Sequence, residues 1–256
     1  MSDAESDSGA SKSQKRWFAL ESNPAVWNSY VNRLGMDTSN YEFVDVFSTE
    51  PWALEMIPQP VMVVLMLYPI SNVQEEWRNQ EEEERKRDQA LVSPKVWFMK
   101  QRIGNACGTI GLIHALANLP PSEQTQPPLA VGGWLKDFLD KCPATLDAYS
   151  KAEMLESDTL LPYLHEDAAS DHELNCTGKG EINDDIDTHF IALARVDDGI
   201  YELDGRKEGP IRHGETTAET FLTDSCSIIQ KFMARDPEEM RFTIVALAPR
   251  HDTGSS

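Results

Sequence analysis

The ten-residue run Val61-Met62-Val63-Val64-Leu65-Met66-Leu67-Tyr68-Pro69-Ile70 is apolar almost throughout, so neither of its faces can be left to water. It is about half the length that a bilayer-spanning helix needs, and is predicted as a buried strand over residues 61–67. A strand that is apolar on both sides lies in the middle of a sheet and requires helices above and below it. The 256 residues suffice for one such domain with a sizeable core.

The remaining pattern supplies those helices. Ser22-Asn23-Pro24 carries a capping residue ahead of an early proline and starts a helix that Gly35 ends. Helices are predicted over 72–87, 107–119, 134–149, 151–165 and 217–235, and strands over 41–47, 96–99, 189–196, 200–203 and 242–247. Asp197-Asp198-Gly199 is a hairpin signal between two of those strands. Helices come first and mixed strands and helices follow, without regular βαβ alternation. That order predicts a layered α/β (α+β) domain with a largely antiparallel sheet rather than a doubly wound parallel one. It occupies residues 16–249, between a disordered tail at 1–15 and a short tail at 250–256. Residues 122–133, rich in Pro, Gln and Gly, read as a loop.

Charge narrows the function. Lys and Arg total 23 against 43 Asp and Glu, a net charge of −20, which repels nucleic acid and anionic lipid and favours a basic protein or peptide. In residues 72–87 the pairs Glu81/Arg85, Glu82/Lys86 and Glu83/Arg87 have i,i+4 spacing, as expected of an exposed, solvated helix. Residues 166–188 carry eight acids against Lys179 and read as either a mobile lid or a passive surface loop. Residues 1–14 hold no apolar stretch, so no secretory signal is read, and the cytosol or nucleus is expected.

In that compartment Cys107, Cys142, Cys176 and Cys226 are expected as thiols. Cys142 and Cys226 lie among apolar neighbours, and Cys176 lies in the acidic segment. Cys107, in Gly104-Asn105-Ala106-Cys107-Gly108-Thr109, sits at the first turn of a helix, where free N–H groups and the positive dipole end favour a thiolate. It is either a nucleophile or a structural helix-start residue. His114 is about 10 Å along the same helix, too far to serve it as a base. His165, His172 and Cys176 match no closed zinc spacing, and no metal site is expected. His189 opens a strand backed by an apolar run, where a base could be held rigidly. Asp204 ends the next strand, but a hairpin centred on Asp198-Gly199 would set it opposite Leu193, roughly 13 Å from His189. Spacing alone therefore leaves Asp204 open.

Gln101-Arg102-Ile103-Gly104-Asn105-Ala106-Cys107-Gly108-Thr109-Ile110-Gly111-Leu112-Ile113-His114-Ala115, with His189-Phe190-Ile191-Ala192-Leu193 and Tyr201-Glu202-Leu203-Asp204-Gly205-Arg206-Lys207, resembles the ubiquitin carboxyl-terminal hydrolases, the papain-like cysteine peptidases of the UCH family. The likeness is to the short, single-domain members and runs from about Trp17 to Leu247. It implies a papain-like three-layer sandwich, with a mostly antiparallel central sheet and helices on both faces. It also implies a triad of Cys107, His189 and Asp204, with Gln101 and the Cys107 N–H as oxyanion hole. The implied reaction is hydrolysis after the C-terminal Gly of ubiquitin, releasing small adducts or peptide extensions without metal or organic cofactor. Residues 166–188 become the active-site crossover loop, and Asn105, Asp184, Asp185 and Asp187 the candidate substrate-binding residues. Ubiquitin, or a related modifier, is the implied partner of a monomer. A binding module that buffers ubiquitin with little turnover is the second reading. The insert near 125–131 looks variable, and the helical extension by which longer members assemble with other proteins is not expected here.

Overall fold

The apolar run becomes one of six strands that, among the described residues, form a single sheet. They are β1 (Tyr41–Asp45), β2 (Val63–Pro69), β3 (Thr188–Val196), β4 (Gly199–Leu203), β5 (Ile211–Glu215) and β6 (Thr243–Pro249), in the order β1-β6-β2-β3-β4-β5, with every neighbouring pair antiparallel. The computed structural model describes residues 15–88, 92–120, 129–171, 173–174, 181–182, 184 and 186–250. Most of the predicted tails and of the Pro- and Gln-rich insert lies outside the described residues, as do His172, Cys176, Asp185 and His251.

Alternation along the strands feeds two cores. Val63, Leu65, Phe190, Ala192, Tyr201, Leu203 and Val245 face one side. They meet α1 (Pro24–Arg33), α4 (Cys107–Ala117), α5 (Trp134–Lys141), α6 (Ala148–Ser157) and α7 (Leu161–Ala169) there. Val64, Met66, Tyr68, Ile191, Leu193 and Ile244 face the other, against α2 (Pro51–Leu54) and α8 (Phe221–Arg235). Each fully buried aliphatic side chain contributes roughly 1.5–3 kcal/mol, which is why β2, buried on both faces, sits between two paired neighbours. The result is the expected three-layer α/β sandwich.

Several expectations need correction. Residues 96–99 form no strand: Asn118 takes the place of a sheet partner, accepting from Trp97 N–H at 2.7 Å and donating to Trp97 C=O at 2.8 Å, and His114 meets Met99. The two helices predicted over 134–165 are three, because Pro143 follows α5 and the Asp147 and Asp158 carboxylates cap new starts at Tyr149 and Leu161. α7 runs on to Ala169, so the first residues of the acidic segment are helical. β5 and the short α2 gave no signal.

The largest correction concerns α3 (Asn72–Asp88). Its acids do not point only to water: Glu75 pairs with Arg206 at 2.7 Å, Glu81 with Lys207 at 2.6 Å and with Arg235, and Glu82 accepts from the Glu208 N–H at 3.3 Å. Gln74, buried, donates to the Phe232 carbonyl at 2.9 Å. Among the described residues the intrahelical pairs that form are Glu75–Arg78, Glu82–Arg85 and Glu83–Lys86, all at i,i+3 rather than the expected i,i+4.

Candidate active site

Residues 101–106 lead into α4 and place Cys107 as its first residue. Asn105 turns the chain with φ of 59°, in the left-handed region that Asn tolerates. Lys15 and Trp17 bracket this approach, with Gly104 N–H donating to Lys15 C=O and Trp17 N–H to Gly104 C=O, both at 2.9 Å. A Cβ at Gly104 would lie 2.8 Å from Arg16 Cγ, so a side chain there would displace Arg16. α4 is buried from Cys107 to Leu116 and lies across β2 and β3, which explains its lack of a polar face.

The β3-β4 hairpin resolves the distance that left Asp204 open. Val196 pairs with Gly199, so the turn residues are Asp197 and Asp198 rather than Asp198 and Gly199, with Asp197 at φ of 53°. Leu203 consequently pairs with Ala192, and Asp204 follows two strand positions nearer His189 than a turn on Asp198-Gly199 allows. His189 Nε2 donates to Asp204 Oδ1 at 2.7 Å, both side chains being buried. The Arg206 N–H donates to the same oxygen at 2.8 Å.

Electrostatics follow from this line. Burial alone would raise the Cys107 thiol, but its hydrogen bond to His189 and that ring's charge, helped by the Phe190 and Gly108 backbone, hold it below the usual thiol range. Burial would lower His189, yet the charge and hydrogen bond of Asp204, then Cys107, push it up to about 9. Asp204, which burial would raise, is held well below the usual carboxylate range, first by His189 and then by Lys207. The pair thus biases the sulfur toward thiolate and the ring toward imidazolium.

Gln101 lines the same cleft of about 330 Å³ as Cys107, Asn105, His189 and Arg206. Its Nε2 donates to Ile103 C=O at 3.2 Å and its backbone N–H to Gly205 C=O at 2.8 Å. A methyl group on Gly205 would lie 2.9 Å from Gln101 Cβ, so Gly205 seats that glutamine. Gly205 and Arg206 were not singled out from the sequence. Their signal was present in the turn that directly follows Asp204.

Of the other candidates, Asn105 Nδ2 lies 3.5 Å from Ile182 C=O, and Arg16 Nη2 reaches Asp184 C=O at 3.3 Å. The Asp184 carboxylate accepts from the Glu181 N–H at 2.7 Å, and that of Asp187 pairs with Arg241 at 2.5 Å. Ile186 and Thr188 line the cleft, and Asp187 C=O accepts from Ile70 N–H at 2.6 Å. His165 is a structural group, between Thr109 Oγ1 at 2.8 Å and Phe18 C=O at 2.7 Å, and burial drives it down to about 4. His114 is likewise driven to about 4 by burial. Among the described residues no cluster of His, Cys, Asp and Glu could hold a metal, and no helix is long and apolar enough to cross a membrane.

A thiol, an imidazole and a carboxylate in line beside a helix N-terminus form the donor order of a cysteine-dependent hydrolase. The comparisons agree with that class. The family described as "Ubiquitin carboxyl-terminal hydrolase, family 1" matches residues 17–234. Ubiquitin carboxyl-terminal hydrolase 3 of Arabidopsis thaliana is 40% identical over 240 residues, covering 94% of this chain and 97% of that protein. Ubiquitin carboxyl-terminal hydrolase isozyme L1 of Homo sapiens is 36% identical, covering 89% and 96%. In fold, the chain is similar to the UCH37 catalytic domain of Trichinella spiralis, solved bound to ubiquitin vinyl methyl ester. The TM-score is 0.69 at 22% identity, covering 93% of this chain and 99% of that one. The chain belongs to the ubiquitin carboxyl-terminal hydrolases, family 1, a family of thiol peptidases.

Proposed function

We propose that Cys107, His189, Asp204 and Gln101 hydrolyse the bond after the C-terminal Gly of ubiquitin. Cys107 thiolate attacks the Gly carbonyl, and the negative charge that develops on the oxygen is met by the Cys107 N–H and the Gln101 amide, each donor worth on the order of 3 kcal/mol. His189, protonated in the resting pair, gives its proton to the departing group. It then takes one from the water that hydrolyses the thioester, which returns ubiquitin with a free carboxylate. Asp204 holds His189 with Nε2–H toward itself, leaving the other ring nitrogen for the sulfur. The observation that carries this reading is the 2.7 Å contact between His189 and Asp204, buried at the floor of the cleft that holds Cys107. Residues 16–249 make up the catalytic unit.

The described residues between α7 and β3 that reach the cleft, Ile182, Asp184, Ile186 and Asp187, belong to the segment that limits what leaves it. Asp184, Ile182 and Asp187 are tied beside the cleft by Arg16, Asn105 and Ile70, an arrangement that disfavours a folded leaving group. Asn105, Asp184 and Asp187 line the approach of ubiquitin's basic C-terminal tail. A fluorogenic ubiquitin C-terminal amide and isopeptide-linked di-ubiquitin, each given to the native protein and to Cys107→Ala, test the reading. The amide should be cleaved rapidly by the native protein alone and di-ubiquitin slowly or not at all. Amide cleavage by Cys107→Ala would overturn the nucleophile, and comparable cleavage of both substrates would overturn the size limit.

A further inference from the structure

Between α3, β5 and α8 lies a cavity of about 550 Å³ that shares no lining residue with the cleft around Cys107. Its volume is that of a small-molecule site, typically about 300–1,000 Å³. The lining is two-sided. Trp77, 44% exposed, with Ile228 and Phe232, makes an apolar wall. Arg85, Arg212, Lys231 and Arg235 make a cationic one, in a chain whose net charge is −20.

Acids on and beside the same wall pair with two of those cations, Glu81 with Arg235 and Glu82 with Arg85, and leave Arg212 and Lys231 without a close acid among the described residues. Both Glu81 oxygens are taken, one by Lys207 and one by Arg235, and Glu84 is exposed. Arg85 is fixed through Nε and Nη2 on Glu82, at 2.9 and 2.6 Å. Arg235 stacks 3.8 Å over the Phe232 ring and 5.4 Å from Trp77. Two guanidinium groups are therefore oriented before anything binds, which removes part of the ordering cost of binding. Arg212 is 3.8 Å from its nearest acid, the largely exposed Asp198, and Lys231 is exposed. Both retain donors for a ligand.

We propose that this cavity is a second binding site, separate from the ubiquitin cleft, for a small aromatic anion. The flat body stacks on Trp77, and a carboxylate or phosphate is held by Arg212 and Lys231, beside the paired and oriented guanidinium groups of Arg85 and Arg235. A neutral molecule of the same shape gains only the apolar wall.

The test is titration calorimetry on the full chain with 2-naphthoate, 2-naphthyl phosphate and neutral 2-naphthalenemethanol, repeated after Cys107 has been alkylated with iodoacetamide. Expected is one site per chain with a Kd of about 0.01–1 mM for an anion and at least tenfold weaker binding of the alcohol, unchanged by the alkylation. A preference for the phosphate or for the carboxylate assigns the source of the anion within the proposal. Lys231→Glu and Trp77→Ala, both at exposed positions, should each weaken the anion tenfold or more and leave cleavage of a ubiquitin amide unchanged. Equal binding of anion and alcohol, no binding of either anion at 5 mM, retained binding in both variants, or loss of binding on alkylation would each overturn the proposal.

Discussion

Two acid-rich stretches, α3 and residues 181–187, look alike in the sequence and are used in opposite ways. In α3, Glu75, Glu81 and Glu82 meet Arg206, Lys207, the Glu208 N–H and Arg235, which come from the turn after β4 and from α8. Lys207 is itself buried, pairing at 2.6 Å with Glu202, which also accepts from His213 at 2.8 Å. In 181–187, Asp184 caps a local backbone N–H and Asp187 holds the exposed Arg241. What separates them is where the cations come from. Partners brought in from more than a hundred residues away build a dry cluster behind Asp204, whereas local or exposed partners leave Glu181, Asp184 and Asp187 as a rim at the surface.

Breaking the cluster should have the largest effect. Glu202→Gln leaves Lys207 buried with half its compensation, and should cost about 3–5 kcal/mol in urea unfolding. A loss below about 1 kcal/mol would mean that the cluster is no drier than the rim. Next comes acid. His114 and His165 are driven from 6.5 to about 4 by burial, so the unfolded chain binds more protons than the folded one between those values. Stability is therefore full above about pH 6.5 and falls on acidification, by about 2 kcal/mol per imidazole between pH 7.5 and 5. His189, raised to about 9, has the opposite sign: its contribution is full below 6.5 and is lost as pH rises through 9, so between pH 7.5 and 5 it offsets about 1.4 kcal/mol of that loss, nearly all of it above pH 6. Unfolding at the two pH values, with the imidazole protons followed by NMR, checks both statements. The smallest effect should come from the rim: Asp187→Asn removes a pair whose side chains are 62% and 55% exposed and should leave the urea midpoint unchanged within error.

The same contrast explains what was legible in the sequence. Apolar periodicity located β2, β3, α1, α4 and α8, because burial on a defined face is a local pattern. Asn23 and Pro24 marked the start of α1, and the short segments around Cys107, His189 and Asp204 carried the family resemblance. Long-range facts were not legible. The register of β3 against β4 depended on whether the turn used Asp197-Asp198 or Asp198-Gly199, a shift of one position that moves Asp204 by two. Residues 96–99 are an apolar run like a buried strand, yet their backbone is met by the Asn118 side chain and His114. The acids of α3 read as solvated because their partners, 206–208 and 235, lie in segments with no visible relation to that helix.

In the proposed triad Asp204 acts through His189 rather than merely packing beside it. The most direct measurement is the steady-state hydrolysis of a fluorogenic ubiquitin C-terminal amide by the native protein and by Asp204→Asn, with folding of the variant verified by its urea transition. With the imidazole no longer held by a carboxylate, kcat should fall by about 10³–10⁴ while KM stays within a few-fold. A folded Asp204→Asn protein that retains kcat within a few-fold of native would contradict the assignment of the triad.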